Sequence, residues 1–282
     1  MIAAAIGLSL TAAAVHGTWN VLVKTAGDPI ATFWRATLAG AVIASAVALP
    51  AWLVLGRPHL NPSAAAWCTL SATLETAYLW LLSAAYRRGE LSAVYPIARG
   101  SAPVLAVIVG IVVLGERLEP IQLAGVGLLL LGILTVSLSQ ASGRATVPAL
   151  LTGVAIAGYT SVDRIGVRLT EPWLYAWLLV VLIAVELSAS RWVASVVWRA
   201  PAPVPGAGWR ASALIGALLW GGYALVLWAL SLAPLAIVAP VRELGIVGVA
   251  VWGVLKLGEH RRVPMKLSGA ITTVVGIALL AT

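Results

Sequence analysis

The chain has 282 residues, 61% of them apolar and only 10% charged, with a mean hydropathy of +1.00 and a net charge of +8. A soluble domain carries about 45–50% apolar and about 25% charged residues, so this composition excludes a soluble enzyme, a disordered chain and a nucleic-acid binder. The 18 Lys and Arg are scattered between apolar runs, never more than two together, instead of crowding one solvated face, and one cysteine, Cys68, excludes an intramolecular disulfide.

A membrane-spanning helix needs roughly 17–25 predominantly apolar residues. Reading between charged and Pro/Gly breaks predicts ten spans, near 2–24, 31–55, 64–86, 92–114, 120–139, 147–169, 173–197, 209–232, 235–257 and 264–281. Short loops are left between them, and no soluble domain. Asp28-Pro29, Asn61-Pro62 and Glu119-Pro120 put proline at or near a first helical position, where its missing N–H costs nothing. The Asp and Asn side chains can cap the free amides there. Only the Ala233-Pro234 step divides the uncharged run Ala211–Val241 into two helices. The first span lacks a basic flank and is too long for a signal-peptide core, so it reads as a resident helix. The prediction is an all-α integral membrane protein, multi-pass in the plasma membrane, with the lipid bilayer as its surroundings and a monomer or homodimer as its state.

The chain repeats itself. Tyr95-Pro96-Ile97-Ala98-Arg99 is echoed by Ala239-Pro240-Val241-Arg242, and Gly-Glu follows sixteen residues beyond each Arg, as Gly115-Glu116 and Gly258-Glu259. Gly125 and Gly132 match Gly269 and Gly276, while His16 and Asn20 fall opposite Tyr159 and Asp163. Two five-helix units follow, 1–142 and 143–282. Because five is odd, the second unit enters the membrane from the opposite side. An inverted repeat of this kind is a recurring secondary-transporter architecture, with its site near the midplane where the halves meet.

Ionisable residues at bilayer depth cost at least ~2.5–3.5 kcal/mol each and mark functional sites by default. Arg99 and Arg242 are the sharpest pair: repeat equivalents, each two or three residues after a proline. Pro96, Pro103 and Pro240 are expected to break their helices and free carbonyls, which is tolerated at depth only beside protein or a water-filled cavity. Two guanidiniums converging from opposite repeats suit bidentate recognition of carboxylate or phosphate. The alternative is structural, with Arg242 paired to Glu243 and Arg99 to Glu75 or Asp163. His16, Asn20 and Lys24 form an i, i+4, i+8 stripe that should face the bundle interior, matched by Tyr159 and Asp163 in the sixth span. Asn20 could equally be interhelical glue and Lys24 a snorkelling cation. Tyr95 completes the substrate-binding set of Arg99, Arg242, His16, Asn20, Tyr159 and Asp163. Glu75 sits mid-span, where a desolvated carboxyl suits reversible protonation unless a base is close. Glu75 and Asp163 are therefore the proton-coupling candidates, with protons as coupling ion.

These residues carry a resemblance. His16-Gly17-Thr18-Trp19-Asn20, the string from Ala85 through Tyr95-Pro96-Ile97-Ala98-Arg99-Gly100, Gly115-Glu116-Arg117-Leu118, Asp163–Arg168 and Pro240–Glu243 resemble the EamA family of the drug/metabolite transporter superfamily over nearly the whole length. The Tyr-Pro-Ile-Ala-Arg string is similar to a bacterial subgroup associated with phosphonate utilisation. Gly258-Glu259-His260-Arg261-Arg262 departs from the family pattern in the second half. The resemblance implies a ten-helix carrier with a central cavity, moving metabolites by alternating access.

The leading function is thus secondary transport of a small polar, anionic or zwitterionic molecule. A lipid-linked substrate flippase or its subunit is the alternative. A membrane-embedded enzyme finds little support, since His16, His59 and His260 are far apart and none has a ligand partner at helical spacing; the absence of a Walker A sequence argues against an ATP-driven motor within this chain. No residue is assigned a catalytic or metal-ligating role, and no cofactor is called for.

Orientation divides the arguments. Loops opposite the termini hold Lys24, Arg87, Arg88, Arg144, Arg191, Arg199, Arg210, Lys256, Arg261, Arg262 and Lys266, against Arg57, Arg117, Arg164 and Arg168 on the terminal face. The positive-inside rule then puts both termini outside the cytoplasm, whereas the resemblance implies termini inside. Following the charge count, reporter fusions at Thr282 should be active with the external reporter and silent with the cytoplasmic one. A cytoplasmic signal would defeat the count.

Overall fold

The computed structural model describes residues 1–88, 91–140, 146–197, 205–245 and 263–281, with side chains left aside at 91–97, 138–140, 146 and 281. The described residues form helices and no strands. In chain order these are α1 (Ile2–Thr25), α2 (Pro29–Val54), α3 (Pro62–Arg88), α4 (Leu91–Ile108), α5 (Pro120–Gln140), α6 (Thr146–Gly166), α7 (Pro172–Val196), α8 (Trp209–Leu232), α9 (Leu235–Arg242) and α10 (Val263–Ala281). A π-helical turn, Val109–Val113, extends α4, and a 3-10 turn, Val167–Leu169, closes α6.

Helix starts follow the local chemistry. Asp28 accepts the Ala31 N–H at 2.9 Å ahead of Pro29, and Asn61 accepts the Ser63 N–H at 2.9 Å ahead of Pro62. At α5 the bond runs the other way: the Glu119 N–H donates to Gln122 Oε1 at 3.1 Å, half of a capping box. Ala233, in extended conformation, separates α8 from α9 ahead of Pro234.

Six of these helices are long and apolar enough to cross a membrane: α1, α2, α5, α7, α8 and α10. Among the described residues, six of the ten expected spans are thus both long and apolar enough. Helices α3 and α6 are long but carry Thr69, Ser71, Thr73, Glu75 and Thr76, or Thr152, Thr160, Ser161 and Asp163. They pack chiefly on each other, which buries Ser71, Glu75, Thr76, Thr152, Thr160, Ser161 and Asp163 in protein, while the exposed Thr69 and Thr73 bond carbonyls one turn back in their own helix. The ninth predicted span reaches only Arg242 as α9; residues 246–257 lie outside the described ones. The proline reading also needs correction. Helix α4 runs on through Pro96 and Pro103, and its departure from α-geometry falls later, at Val109–Val113. A proline deletes one ladder bond, which a membrane helix absorbs when neighbours satisfy the freed carbonyl. Pro240 sits two residues before the end of α9, where the Glu243 N–H bonds the Pro240 carbonyl at 3.1 Å.

Around the centre, α1 packs on α8 and α9, α3 on α6 and α7, α4 on α6 and α9, and α2 on α7 and α8. One face gathers the α1–α2 turn, the end of α3 and residues 205–208 ahead of α8. There Arg87 bonds Asp28 at 2.6 Å, Lys24 Nζ donates to the Tyr86 carbonyl at 2.7 Å, and Arg35 donates to the Ala207 carbonyl at 2.7 Å. Arg35, read as lying within a span, is thus anchored to that face. The opposite face gathers the α4–α5 turn, the end of α6 and the α8–α9 break, held by Glu116 as described below.

Helices α5 and α10 make the closest pairing, antiparallel and glycine-lined. A Cβ on Gly132 would lie 2.6 Å from the Gly269 carbonyl oxygen, and one on Gly276 would lie 2.8 Å from that of Gly125. Lipid offers no hydrophobic drive between helices, so such close backbone approach supplies their attraction. Gly132→Val should therefore cost about 1–3 kcal/mol by overpacking. Gly127→Val, on the same helix with nothing within 4 Å of its Cβ position, should be neutral. Thermal unfolding of the two purified variants checks this; equal midpoints would refute the close-packing account.

Candidate functional site

The site is built from ions that water cannot reach. Arg99 on α4, with Arg242 and Glu243 at the end of α9, are each no more than 3% exposed. Arg99 Nη1 donates to both Glu243 carboxylate oxygens at 3.1 Å. Arg242 donates to Glu243 Oε1 from Nε at 3.0 Å and from Nη2 at 2.9 Å. One carboxylate therefore holds two guanidiniums, one from each half of the chain. Arg242 also donates to Thr160 Oγ1 at 3.2 Å and lies over the Tyr159 ring, 5.9 Å from its centroid.

Next to this cluster runs a series of aromatic rings. Tyr78 on α3 meets Tyr159 on α6 edge-on at 5.5 Å, and Tyr159 meets Tyr223 on α8 at 5.7 Å. Offset and edge-on contacts are the favoured geometry for such rings. Tyr223 donates its hydroxyl to Asp163 Oδ2, and Tyr175 on α7 donates to Asp163 Oδ1 at 2.9 Å. Asp163 is fully buried and bound by two phenols. His16 stands 6.4 Å from the Tyr223 ring and 5.8 Å from Trp19. Its Nδ1 is bonded to the Ala12 carbonyl at 2.7 Å, so a neutral ring presents Nε2 as an acceptor.

Glu75 is buried on α3, and its Oε1 has no hydrogen-bond partner among the described residues. A buried polar atom without a partner is rare and calls for an occupant or a functional reason. The sequence expectations thus sort themselves. Arg99, Arg242, His16, Tyr159 and Asp163 surround one central region, with Glu75 on the adjoining helix. Asn20 is committed to protein: its Nδ2 donates to the His16 carbonyl at 2.7 Å, and its Oδ1 accepts the Tyr86 hydroxyl at 2.6 Å. Tyr95 lies on α4, with its side chain outside the described residues. Arg99 pairs with Glu243, not with Glu75 or Asp163.

Tyr223, Tyr175 and Thr160 were not anticipated. A phenol inside an apolar span, as in Trp220-Gly221-Gly222-Tyr223, is a usable signal, since its hydroxyl needs a partner. The role of Glu116 also went unread. Its Oε1 accepts Arg164 Nε at 2.9 Å and the Leu235 N–H at 2.7 Å, while Oε2 accepts the Ala236 N–H at 3.0 Å. Glu116 therefore caps α9 from across the molecule, and Arg164 extends the link to the Leu230 carbonyl at 2.6 Å.

A polytopic helical protein with a buried ionic centre shared between its two halves is the class that fold and site define. Residues 3–138 match the model of the EamA-like transporter family, so the first half of the chain carries a domain of that family, in the drug/metabolite transporter superfamily. Membrane transport is the activity this domain indicates. No curated protein matches the chain. A solved crystal structure superposes with a TM-score of 0.71 at 15% identity, over 98% of this chain and 96% of the other; at that identity it shows a shared fold alone.

Removing the shared carboxylate tests the cluster. Glu243→Gln leaves two buried guanidiniums on a neutral amide and should destabilise by about 3–5 kcal/mol. Glu186→Gln, partly exposed on α7 with its carboxylate against Thr73, should stay within about 0.5 kcal/mol. Denaturant titration in detergent checks both, and a Glu243→Gln midpoint equal to the parent's would refute the ionic account.

Proposed function

We propose that the chain is a secondary transporter of a small polar metabolite, anionic or zwitterionic, working by alternating access in the plasma membrane. The observation that carries this reading is the buried Arg99–Glu243–Arg242 cluster, beside an aromatic-lined region holding Asp163 and an unpartnered Glu75 oxygen. In it, the guanidiniums take the substrate's carboxylate or phosphonate in exchange for Glu243, and Arg supplies the planar fork for this. Glu75, with no ion-pair partner among the described residues, and Asp163 are the groups that exchange a proton with the transport cycle. The Tyr95–Arg99 string supports a place near the phosphonate-associated subgroup.

Two inverted five-helix units, 1–142 and 143–282, account for the packing. Under the repeat, Gly125 corresponds to Gly269 and Gly132 to Gly276, so the Gly125–Gly276 approach maps onto Gly269–Gly132, and both occur. Likewise α1 on α8 maps onto α6 on α3, and α1 on α9 onto α6 on α4. Such reciprocity supports a pseudo-two-fold axis in the membrane plane, the arrangement suited to alternating access.

The test is flux into liposomes from a panel of labelled amino acids, dicarboxylates and phosphonates. At least one is expected to move in the parent protein and to respond to an imposed pH gradient. Arg99→Ala and Arg242→Ala should insert, since Glu243 keeps one partner in each, yet lose transport. Arg→Lys should slow flux by about tenfold or more for want of the fork. Glu75→Gln or Asp163→Asn should abolish the pH response. Normal flux in both arginine variants sinks the convergent-cation site, and movement of labelled lipid alone would favour the flippase.

A further inference from the structure

The face that carries the termini is poor in basic residues, and it uses them together. Of Arg57, Arg117, Arg164 and Arg168, the last three line one cavity of about 450 Å³, with Glu116, Ile165 and Pro234. Among the described residues its only lining carboxylate is already spent. Glu116 accepts Arg164 and the two leading amides of α9. Arg164 is buried and divides its guanidinium between Glu116 and the Leu230 carbonyl. Arg117 and Arg168 are exposed and make no ion pair among the described residues. Two uncompensated guanidiniums thus face one cavity whose third is already neutralised.

The walls are held in place. Gly115 turns the chain with a φ of +66°, and the Glu116 N–H closes onto the Gly110 carbonyl at 2.9 Å behind the π-helical turn. On the other side the 3-10 turn Val167–Leu169 ends α6. Like charges repel across such a space, while guanidinium forks match oxyanions. We infer that this cavity is a second, interfacial binding site for a compact oxyanion bearing several oxygens, a phosphate or polycarboxylate group. The group belongs either to a soluble anion or to a phospholipid headgroup. The inference does not rest on the central site, because Arg99, Arg242 and Glu243 take no part in it.

Its test uses the full chain in nanodiscs. In phosphatidylcholine discs, inorganic pyrophosphate is titrated by calorimetry and thermal unfolding. In a second arm phosphatidylglycerol is added and no soluble anion is present. Pyrophosphate at about 100-fold its dissociation constant should raise the unfolding midpoint by about 5 °C. Arg117→Gln/Arg168→Gln, at exposed positions, should weaken binding about tenfold or more per guanidinium. Ile165→Trp, which crowds one wall of the cavity and keeps every charge, should also weaken binding. Stabilisation in the first arm identifies a soluble anion, and in the second a lipid. If neither arm shows stabilisation that depends on both arginines, or if Ile165→Trp binds like the parent, the inference is overturned.

Discussion

Inside the hydrocarbon no water is available to solvate an ion, so every buried charge must find its counter-charge within the protein. Glu243 is where this constraint concentrates. It binds Arg99 from α4 and Arg242 from α9, which draws an early helix against a late one, and Arg242 reaches on to Thr160 and Tyr159 on α6. Three helices thereby share one ionic centre. A single carboxylate between two guanidiniums leaves one positive charge in excess within the cluster. In the proposed cycle that excess is what a substrate anion answers, and its arrival frees Glu243 from at least one of its partners.

The same constraint explains which helices look least like membrane spans. Helices α3 and α6 hold the polar residues and lie against each other, while the lipid-facing work falls to helices such as α2 and α10. Where no ions are buried, other contacts take over. Gly125 and Gly132 let α5 touch α10 backbone to backbone, and Trp34 and Trp80 donate to Ser188 and Ser190 on α7 at 3.0 and 3.1 Å. Hydropathy alone reads the bundle's outside well and its functional inside poorly.

Much of this was legible from residue order. The Asp28-Pro29 and Asn61-Pro62 starts, the Ala233-Pro234 break and the glycine spacing all follow from local chemistry and recurrence. The arginine pair stood out because a guanidinium at depth needs a reason. Glu243 stood open as the structural partner of Arg242, but the geometry that joins them was harder to read. Neighbours in a continuous helix do not face each other, yet α9 ends at Arg242, and the turn closed by the Glu243 N–H lets both side chains meet. Arg99 finds the same carboxylate 144 residues away along the chain, a pairing that only the tertiary fold creates. Asn20 illustrates the converse: its place on a polar stripe was evident, but its bond to Tyr86 depends on where the end of α3 meets α1.

The charge asymmetry between the two faces changes meaning once burial is known. Arg164 is buried within α6 and paired with Glu116, and Lys266 is buried within α10, so neither serves as a solvated loop charge. Without them the sequence count still favours the face opposite the termini, ten against three. Two of the remaining three, Arg117 and Arg168, line the interfacial cavity. Residues kept for binding an anion would be retained whatever their effect on insertion, which leaves Arg57 as the terminal face's only basic residue without such a role. Arg57 itself lies over Trp52 at 5.8 Å, as an interfacial cation beside its aromatic anchor does. The bias used to orient the chain is therefore sharper after the functional charges are set aside, because those charges had been diluting it.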